Sequence, residues 1–517
     1  MTSKKVLEIK HIIQNKKVSK NIILSFAVIL LLQVFLVGGV QSVFAASGYS
    51  GAVGDIDGLI QRTMSRQNVP GAAVAFINDG QVSFYTHGVA CVRGTDRVDN
   101  ETFFYIASLT KAFTALGVQL LEYRGYLSLY DPVVKHIPWI SFILRGGNFN
   151  IEDLQIRHLL YHTSGLGNAT HSATIPPLDG DNALRRAVEI VNNTRLRSRP
   201  GVRFEYASSN YIILGYLIAT VSGETYESFI VDNILNPLGL YSTKMFRGDA
   251  KNAGVLASGH RPSFFSARYN YVAIARSHTP TGYMLSNILD MARWLEFNLN
   301  PSIAPYPFST LISDGHVPNM GINMPDEYYY GLGWFINDDT GRVRHSGFLS
   351  NNVSEIMLYE EYGIGVVLFM NSSSGRGYNL AENILAIVKG GTAGSIVVGS
   401  NMQIMDIIFS TVSIVFMVVL AGLLAFIALY VVKVKKGSIK FKKPTLKRWL
   451  VIGGIELGAL TLILITILMP WLIGFFGWQF VGIWMPSSVY VLLWLMLALL
   501  LCGVTLGVFR VLRDKKG

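Results

Sequence analysis

The residues whose types and spacing could do chemistry begin with Ser108 and Lys111. They lie within residues 104–114, which read Phe-Tyr-Ile-Ala-Ser-Leu-Thr-Lys-Ala-Phe-Thr. At helical pitch, residues three positions apart share one face, so the lysine amine can lie beside the serine hydroxyl. A desolvated lysine can lose its proton near neutral pH and act as the base that a serine nucleophile needs. Such a pair also arises by chance in a chain of 517 residues, so a site requires further parts.

Two later segments carry groups that an acyl-transfer site needs, namely a proton shuttle for the leaving group and donors for an oxyanion. Tyr206 stands just ahead of a predicted helix, and a phenol close to a lysine can serve as acid or base. A buried tyrosine that only hydrogen-bonds a loop is the alternative interpretation. In His345-Ser346-Gly347-Phe348, the glycine lets substrate approach, and the following backbone N–H can point at an oxyanion.

Three short motifs together resemble, in order and spacing, the serine β-lactamase and penicillin-binding-protein superfamily, specifically the class C β-lactamase-like peptidases and esterases. These motifs are Ser108-x-x-Lys111, Tyr206-x-Ser208 and His345-x-Gly347. Residues 157–166, residues 330–334 and the pair Pro70-Gly71 agree with the resemblance, which covers about residues 50 to 390. It implies an α+β fold of the β-lactamase/transpeptidase type, an α/β sandwich in which helices flank an antiparallel sheet.

The resemblance also implies a role for each matching residue. Ser108 would be the acylated nucleophile, Lys111 its proton acceptor, and Tyr206 the general base for acylation or for the water step. His345 takes the place of the lysine in the Lys-Thr-Gly form of the third motif. The backbone N–H groups of Ser108 and Phe348 would form the oxyanion hole.

The second motif departs from the pattern of many relatives, which carry Asn where this chain has Ser208. A serine keeps a hydrogen-bonding group but shortens it. The departure predicts an altered contact with a substrate amide and argues against efficient β-lactam hydrolysis.

The segments that must position these residues follow a simple order. Strands are predicted over residues 70–77 and 81–85, joined by the turn Asn78-Asp79-Gly80. A helix is predicted over residues 108–123, and further helices near 152–162, 182–193, 209–221 and 286–298. Strands return at 331–336, 342–345, 353–359 and 364–370. Strands at both ends predict one antiparallel sheet, closed by the N- and C-terminal strands and covered by helices.

Composition and charge point to a membrane protein and away from nucleic acid. Half of the residues are hydrophobic and 15% are charged. The net charge of +11 lies at the ends of the chain: six Lys against one Glu in residues 1–21, and twelve Lys and Arg against two acids in residues 433–517. Residues 22–432 carry a net charge of −4. Positive charge beside apolar runs is typical of membrane topology and not of a phosphate-binding face.

The apolar runs divide the chain into segments. Residues 1–46 are interpreted as a signal peptide or N-terminal anchor, with cleavage after Ala45 or Ala46. Residues 47–390 form the predicted exported domain, and residues 391–406 a flexible linker. Three transmembrane helices are predicted within residues 407–512, at 407–432, 449–473 and 489–509. The basic loop 433–448 and tail 510–517 predict a multi-pass cell-membrane protein whose catalytic domain is extracytoplasmic.

No metal or cofactor is predicted. His158 and His162 are four residues apart, but Leu159 stands where the His-Glu-x-x-His form of a zinc site requires Glu. The two cysteines are Cys91 and Cys502, and Cys502 lies in an apolar run. They provide neither a disulfide framework nor a cysteine metal site.

An exported domain followed by three spans resembles the layout of peptidases that activate natural-product prodrugs by removing an N-acyl-D-asparagine cap, as in colibactin and zwittermicin maturation. This resemblance implies that Ser208, His260 and Asn351 hold the asparagine amide, although His260 can also be an ordinary loop histidine. The alternatives are a cell-wall D-amino-acid peptidase or esterase, a penicillin-binding protein and a penicillin sensor. The expected partners are an acylated peptide or amide, the bilayer, and an exporter or second copy bound through the spans.

Overall fold

The computed structural model describes residues 55–144, 149–167, 175–273, 275–322, 324, 328–397, 399–472 and 478–514. The predicted signal peptide or anchor over residues 1–46, with its cleavage site, lies outside the described residues.

Within the described residues, the strands in chain order are β1 (Gly71–Asn78), β2 (Gln81–Gly88), β3 (Phe104–Tyr105), β4 (Ile143–Leu144), β5 (Arg195–Leu196), β6 (His260–Ser263), β7 (Ser266–Tyr269), β8 (Leu285–Ser286), β9 (Tyr328–Tyr330), β10 (Phe335–Asn337), β11 (Arg342–Leu349), β12 (Asn352–Tyr359) and β13 (Ile364–Met370).

The described helices of the globular domain are α1 (Ile56–Arg66), α2 (Thr110–Tyr123), α3 (Val133–His136), α4 (Ile156–Leu160), α5 (Ala183–Val191), α6 (Ser208–Ser222), α7 (Tyr226–Ile230), α8 (Asn236–Leu238), α9 (Arg247–Ala253), α10 (Thr279–Gly282), α11 (Ile288–Leu299), α12 (Phe308–Gly315) and α13 (Gly377–Val388). A π-helical turn, Val231–Leu235, joins α7 to α8. Four further helices follow: α14 (Asn401–Lys435), α15 (Leu446–Leu472), α16 (Trp478–Trp484) and α17 (Ser488–Leu512).

A seven-stranded antiparallel sheet organises the globular domain, in the order β2-β1-β13-β12-β11-β10-β9. The N-terminal hairpin β1-β2 therefore pairs with the C-terminal strand β13, as predicted. The two residues Asp79 and Gly80 close this hairpin with φ of 49° and 72°, the left-handed geometry of a tight two-residue turn. The predicted α+β architecture is confirmed.

Both faces of the central strands are covered, which explains why β13 is apolar along its whole length. Val367 and Phe369 face the main core, which includes the apolar residues of α2, α6 and α11. Val366 and Leu368 face a second cluster formed with α1 and α13. Helix α2, which follows Ser108, is consequently buried between the sheet and the other helices.

Three sequence predictions need correction. Residues 331–336 are not one strand: Gly331–Trp334 form a turn between β9 and β10, and Gly333 takes φ of 91° against the backbone of Ala112. The helix near 152–162 is reduced to α4, after a 3-10 turn over Ile151–Asp153. Strand β11 continues four residues beyond the predicted end at 345, to Leu349.

The connection to the apolar helices is also more ordered than the predicted flexible linker over residues 391–406. Ala393 and Ile396 are buried in the cluster beneath α1 and α13. Helix α14 begins at Asn401, where Gln403 accepts a hydrogen bond from the Gly399 N–H at 2.6 Å. The Gln403 amide also donates to the Arg66 carbonyl at 3.1 Å, so the start of the first apolar helix is anchored to the end of α1.

Helices α14, α15 and α17 are long and apolar enough to cross a membrane. Their outer surfaces are largely exposed within the protein, as expected for helices that face lipid. The short helix α16 lies between α15 and α17 in the chain.

The apolar helices contact the globular domain at the β6-β7 hairpin. Asp406 of α14 accepts hydrogen bonds from the backbone N–H groups of Phe264 and Phe265, at 3.0 and 2.9 Å. It also accepts one from the Ser488 hydroxyl of α17, at 2.6 Å. Arg261 donates to the carbonyl of Gly482, at 2.8 Å. The hairpin is thus bound to both α14 and the segment that contains α16.

Candidate active site

Ser108 lies in a 3-10 turn, Ala107–Leu109, directly before α2. The preceding residue, Ala107, has φ of 48°, a left-handed conformation that costs a non-glycine residue about 1–3 kcal/mol. The Ser354 hydroxyl donates to the Ile106 carbonyl at 2.6 Å and so fixes this backbone from β12. A Cβ atom at Gly347 would lie 2.8 Å from the Ile106 oxygen, so only glycine allows β11 to approach this closely.

Lys111 is fully buried, and its amine points at the Ser108 hydroxyl. Its Nζ lies 3.0 Å from the Ser108 Oγ and donates to the Thr281 carbonyl at 2.6 Å. The rings of Tyr206 and Tyr211 have centroids 5.1 and 5.7 Å from Nζ. No carboxylate of the described residues forms an ion pair with Lys111. Burial lowers the pKa of the Lys111 amine to about 7, which makes it a base near neutral pH.

Tyr206 supplies the complementary group. Burial raises the pKa of its phenol, and a hydrogen bond with Ser108 opposes that rise only in part. The phenol therefore stays protonated beside Ser108, whereas the Lys111 amine can be neutral. The Lys111 amine, whose pKa is lowered toward neutrality, can act as a base at the Ser108 hydroxyl. The Tyr206 phenol, whose pKa is raised, can act as an acid there.

His162 positions Tyr206. It has φ of 55°, and its Nδ1 accepts from the Ala207 N–H at 3.2 Å and from the Asn210 amide at 3.0 Å. Its ring lies 4.3 Å from the ring of Tyr206, centroid to centroid. The Ser164 hydroxyl donates to the Asn210 carbonyl oxygen at 2.7 Å and extends the network. The sequence indicated this segment only through its resemblance to the family, and it gave His162 no individual role.

The two histidines considered as zinc ligands bind the protein itself. His158 Nδ1 accepts from the Gln155 N–H at 3.1 Å, and His162 holds the Tyr206 loop. Within the part of the chain that the structure describes, no group of three or more His, Cys, Asp or Glu side chains could hold a metal ion.

His345 is buried on β11 and is a neutral group. Its Nδ1 donates to the Ser346 carbonyl at 2.8 Å, so its Nε2 accepts from the Tyr330 hydroxyl at 3.2 Å. Burial, and secondly the charge of Lys111, lower the pKa of His345 to about 3. His345 stands in the place of a lysine but brings no positive charge. Tyr330, which the sequence did not single out, fixes its ring.

Phe348 lies on an open edge of β11. Strand β10 pairs with β11 only from Arg342 to Arg344, so residues 345–349 have no partner strand on that side among the described residues. This edge offers backbone donors beside Ser108, as the predicted oxyanion hole requires. The ring of Phe348 is 41% exposed and stacks on Trp484 of α16, with centroids 5.8 Å apart.

The three predicted substrate-binding residues have different environments. Ser208 is buried at the start of α6, two residues after Tyr206. His260 uses both ring nitrogens within the protein: Nδ1 donates to the Asn371 carbonyl at 2.8 Å, and Nε2 accepts from the Val92 N–H at 3.2 Å. It therefore keeps no nitrogen for a ligand. Asn351 donates to the Asn270 carbonyl at 3.0 Å, and its Oδ1 is buried without a hydrogen-bond partner.

A family model described as Beta-lactamase matches residues 56–389. The chain therefore belongs to the beta-lactamase family of serine hydrolases, which confirms the predicted class of enzyme. Protein flp of Staphylococcus aureus (strain NCTC 8325 / PS 47) is 29% identical over 444 residues, covering 84% of this chain and 86% of flp. That similarity extends beyond the segment matched by the family model.

Two further comparisons agree with the family. The unguisins hydrolase ungD' of Aspergillus campestris is 26% identical over 338 residues, covering 63% of this chain and 62% of ungD'. The solved structure of the octameric penicillin-binding protein homologue from Pyrococcus abyssi superposes with a TM-score of 0.58 at 26% identity. The match covers 69% of this chain and 81% of that one.

Proposed function

We propose that the protein is a membrane-anchored serine peptidase or amidase that hydrolyses an amide or ester through an acyl-enzyme on Ser108. The observation that carries this proposal is the buried Lys111 amine, 3.0 Å from the Ser108 Oγ and without a carboxylate partner among the described residues. The hydrogen bond between Ser108 and the protonated Tyr206 supports it. A lysine so placed can accept the serine proton without first giving up a stabilising ion pair.

Lys111 and Tyr206 carry out different proton transfers during acylation. Neutral Lys111 takes the proton of Ser108 as Oγ bonds to the substrate carbonyl carbon, and the backbone N–H groups of Ser108 and Phe348 hold the oxyanion. Tyr206 donates its proton to the leaving amine or alcohol as the scissile bond breaks. In deacylation, water gives a proton to the Tyr206 oxygen and attacks the ester, and Lys111 returns its proton to Ser108.

For the substrate, we propose an N-acyl-D-amino-acid cap, with D-asparagine as the specific residue, removed from an exported natural-product precursor. The order of a catalytic domain and three apolar helices supports this assignment. The buried, unpartnered Oδ1 of Asn351 and the position of Ser208 beside Tyr206 provide polar groups for an amide. A relative named as a hydrolase of unguisins agrees with action on a natural product.

A second candidate is a cell-wall D-amino-acid peptidase or esterase of the penicillin-binding type. The structural similarity to a penicillin-binding protein homologue favours this alternative.

We place the three apolar helices in the cell membrane and the catalytic domain on its extracytoplasmic side. The Lys- and Arg-rich segments after α14 and α17 support this orientation, because such segments remain in the cytoplasm. The exposed faces of these helices offer surfaces for an exporter or a second copy of the chain, and the homologue from Pyrococcus abyssi is octameric.

The catalytic assignment is tested by replacing Ser108 with Ala in the full-length protein. We expect this variant to lose labelling by a fluorophosphonate probe, because that probe reacts with activated serine hydroxyls. Ser313→Ala, on the exposed end of α12, serves as the matched control and should label like the wild type. Continued labelling of Ser108→Ala would remove Ser108 from the mechanism.

The substrate assignment requires mass spectrometry. Membranes that contain the protein are incubated with acyl-D-Asn, acyl-L-Asn and acyl-D-Ala-D-Ala conjugates, and the products are identified. Cleavage of the acyl-D-Asn conjugate is expected. Cleavage of acyl-D-Ala-D-Ala alone would reject the cap-removing function in favour of the cell-wall peptidase.

A further inference from the structure

A cationic side chain without an acidic partner lies close to the active site. Arg247, at the start of α9, stacks over the ring of Tyr271, with Cζ 5.1 Å from the centroid. Its Nε is buried and makes no hydrogen bond. The nearby Arg276 differs, because Asp181 and Glu227 bind it at 2.6 and 2.8 Å. Among the described residues, no carboxylate pairs with Arg247, so its charge is available to a ligand.

Tyr105 adds a second unused donor to the same cluster. The residue is 5% exposed, and its hydroxyl is buried without a hydrogen-bond partner. Burial raises the pKa of this phenol, and the charge of Arg247 opposes the rise, so the two groups lie within electrostatic reach of each other. The ring of Tyr283 meets the Tyr105 ring edge-on, with centroids 6.4 Å apart. A buried hydroxyl left unpaired is unfavourable unless a ligand satisfies it.

The cluster adjoins both backbone segments that serve the reaction. Tyr105 precedes Ser108 by three residues and packs with Ala107 and Leu349. Leu349 follows Phe348 on β11. Beyond it, the Ser350 hydroxyl and the Asn352 amide are also buried without hydrogen-bond partners. The unused donors therefore gather between the nucleophile segment and the end of the oxyanion strand.

The position of Tyr206 indicates which part of the substrate the cluster meets. Tyr206 must lie beside the leaving group, because it donates the proton that the leaving group takes. Its aromatic neighbours are His162, Tyr330, Phe335 and His345. None of these residues belongs to the cluster around Tyr105 and Arg247. The cluster is therefore separate from the residues around the leaving group, and the part of the substrate that it would meet is the acyl part, which remains bonded to Ser108.

We infer that Arg247 and Tyr105 form a subsite for a carboxylate group carried by the acyl part of the substrate. A guanidinium and a phenol are both donors, and a carboxylate offers two acceptor oxygens that can take a hydrogen bond from each. The stack on Tyr271 holds the guanidinium plane and leaves its edge free to bind. This inference rests on the proposed acyl-enzyme function. It adds a requirement to the proposed substrate: the acyl part carries a carboxylate besides the asparagine amide, because the carboxyl of the asparagine itself forms the bond to Ser108.

The test compares two esters that differ in one charge. Full-length protein is assayed with 4-nitrophenyl hydrogen glutarate, whose acyl chain ends in a carboxylate, and with the neutral 4-nitrophenyl pentanoate. The measured quantity is the ratio of the two kcat/KM values. We expect Arg247→Met to lower this ratio at least about tenfold, the loss expected for a charge-assisted hydrogen bond. Tyr105→Phe, which removes only a hydroxyl, should lower it about threefold.

Arg268→Met is the matched control, because Arg268 is an exposed arginine on the neighbouring strand β7. It should leave the ratio unchanged. A structural role of Arg247 would reduce the rates with both esters equally and preserve the ratio. An unchanged ratio in Arg247→Met, with both esters still hydrolysed, would overturn the subsite and leave the proposed hydrolase function standing.

A second measurement separates the subsite from turnover. Free glutarate should slow fluorophosphonate labelling of Ser108 in the wild type but not in Arg247→Met, and neutral glutaramide should slow neither. Labelling of Ser108 without hydrolysis of either ester would refute the hydrolase function. Protection by glutarate would then still show whether Arg247 binds a carboxylate. Equal protection of wild type and Arg247→Met would overturn it.

Discussion

Lys111 and Asp406 are both buried ionisable residues on long helices, but their surroundings are opposite. Lys111 has two oxygen acceptors, aromatic rings and no countercharge among the described residues, and burial lowers its pKa to about 7. Asp406 receives two backbone N–H groups and the hydroxyls of Ser410 and Ser488. A buried ionisable group with few partners becomes reactive, whereas a buried carboxyl group with several hydrogen-bond donors holds segments together. The first case describes Lys111 at the candidate active site, and the second describes Asp406 at the junction with the apolar helices.

The largest effect is expected when the amine of Lys111 is removed. Lys111→Met should lower kcat with 4-nitrophenyl butyrate about 10³-fold or more, because Ser108 then lacks a base. Lys111→Arg should be similarly inactive, since a guanidinium stays charged at all assay pH values. Lys135→Met, which removes an exposed lysine bound to Asp131, is the control. A rate near that of the wild type in Lys111→Met would show that another group takes the serine proton.

The pH dependence of kcat/KM tests the role of the Lys111 amine more finely. Because the neutral amine is the active form, kcat/KM should fall about tenfold per pH unit below about 7 and level off above it. Tyr206 adds no descending limb near neutrality, since burial raises the pKa of its phenol. A profile that is flat from pH 5 to 8 would contradict a neutral Lys111 as the base.

The same shift in Lys111 has a predicted effect on stability. Its pKa falls from 10.5 in an ordinary lysine to about 7 in the folded protein. Between these two values the unfolded chain holds a proton that the folded protein has lost. The Lys111 contribution to the free energy of unfolding therefore increases with pH over this range. Thermal unfolding of wild type and Lys111→Met at pH 7 and pH 9 isolates this contribution, which should be absent in the variant.

A substitution at the junction between the β6-β7 hairpin and the apolar helices should lower stability and leave catalysis unchanged. Asp406→Ala leaves the partly buried N–H groups of Phe264 and Phe265 without their acceptor, which costs about 0.5–1.5 kcal/mol for each lost hydrogen bond. We expect a lower unfolding temperature in detergent, with the pH midpoint of activity unchanged. Asp57→Ala is the control, because Asp57 is half exposed and pairs with His87 outside this junction. A shifted pH midpoint would mean that the two regions are not separate.

The smallest effect is expected at Trp484. Trp484→Ala removes the ring that covers Phe348 and should lower kcat/KM about three- to tenfold, with thermal stability nearly unchanged. Trp139→Ala, far from α16 in the chain and in tilted ring contact with Tyr216, controls for loss of a tryptophan. Wild-type kcat/KM in Trp484→Ala would show that the apolar helices do not influence the oxyanion residue.

The residues proposed as catalytic could be selected from the sequence because each lies in a short local pattern. Ser108 and Lys111 share a helix face, and Tyr206 and Gly347 belong to compact motifs. The groups that control these residues were not predictable, since they come from distant parts of the chain. His162 reaches Tyr206 across 44 positions of the sequence, and the neutrality of His345 follows from burial and from Tyr330.

The errors in secondary structure have equally specific causes. Residues 331–336 alternate like a strand, but Gly333 must turn away against Ala112, and this contact is tertiary. The start of α14 at Asn401 depends on a hydrogen bond between Ser400 and the Ser373 carbonyl, at 2.5 Å, which a hydropathy pattern does not contain. Local periodicity therefore located the elements, while their ends were set by partners elsewhere in the fold.

The stack between Phe348 and Trp484 joins two tasks in a single residue. The backbone of Phe348 is assigned to the oxyanion, and its side chain rests on the segment between two apolar helices. Under the proposed placement in the membrane, this aromatic pair would link the position of the reaction centre to the apolar helices, together with the hydrogen bonds of Asp406 and Arg261. Under that placement, a tilt of α15 or α17 would be transmitted through this pair to the open edge of β11, and the catalytic rate in thin and thick bilayers would measure the coupling.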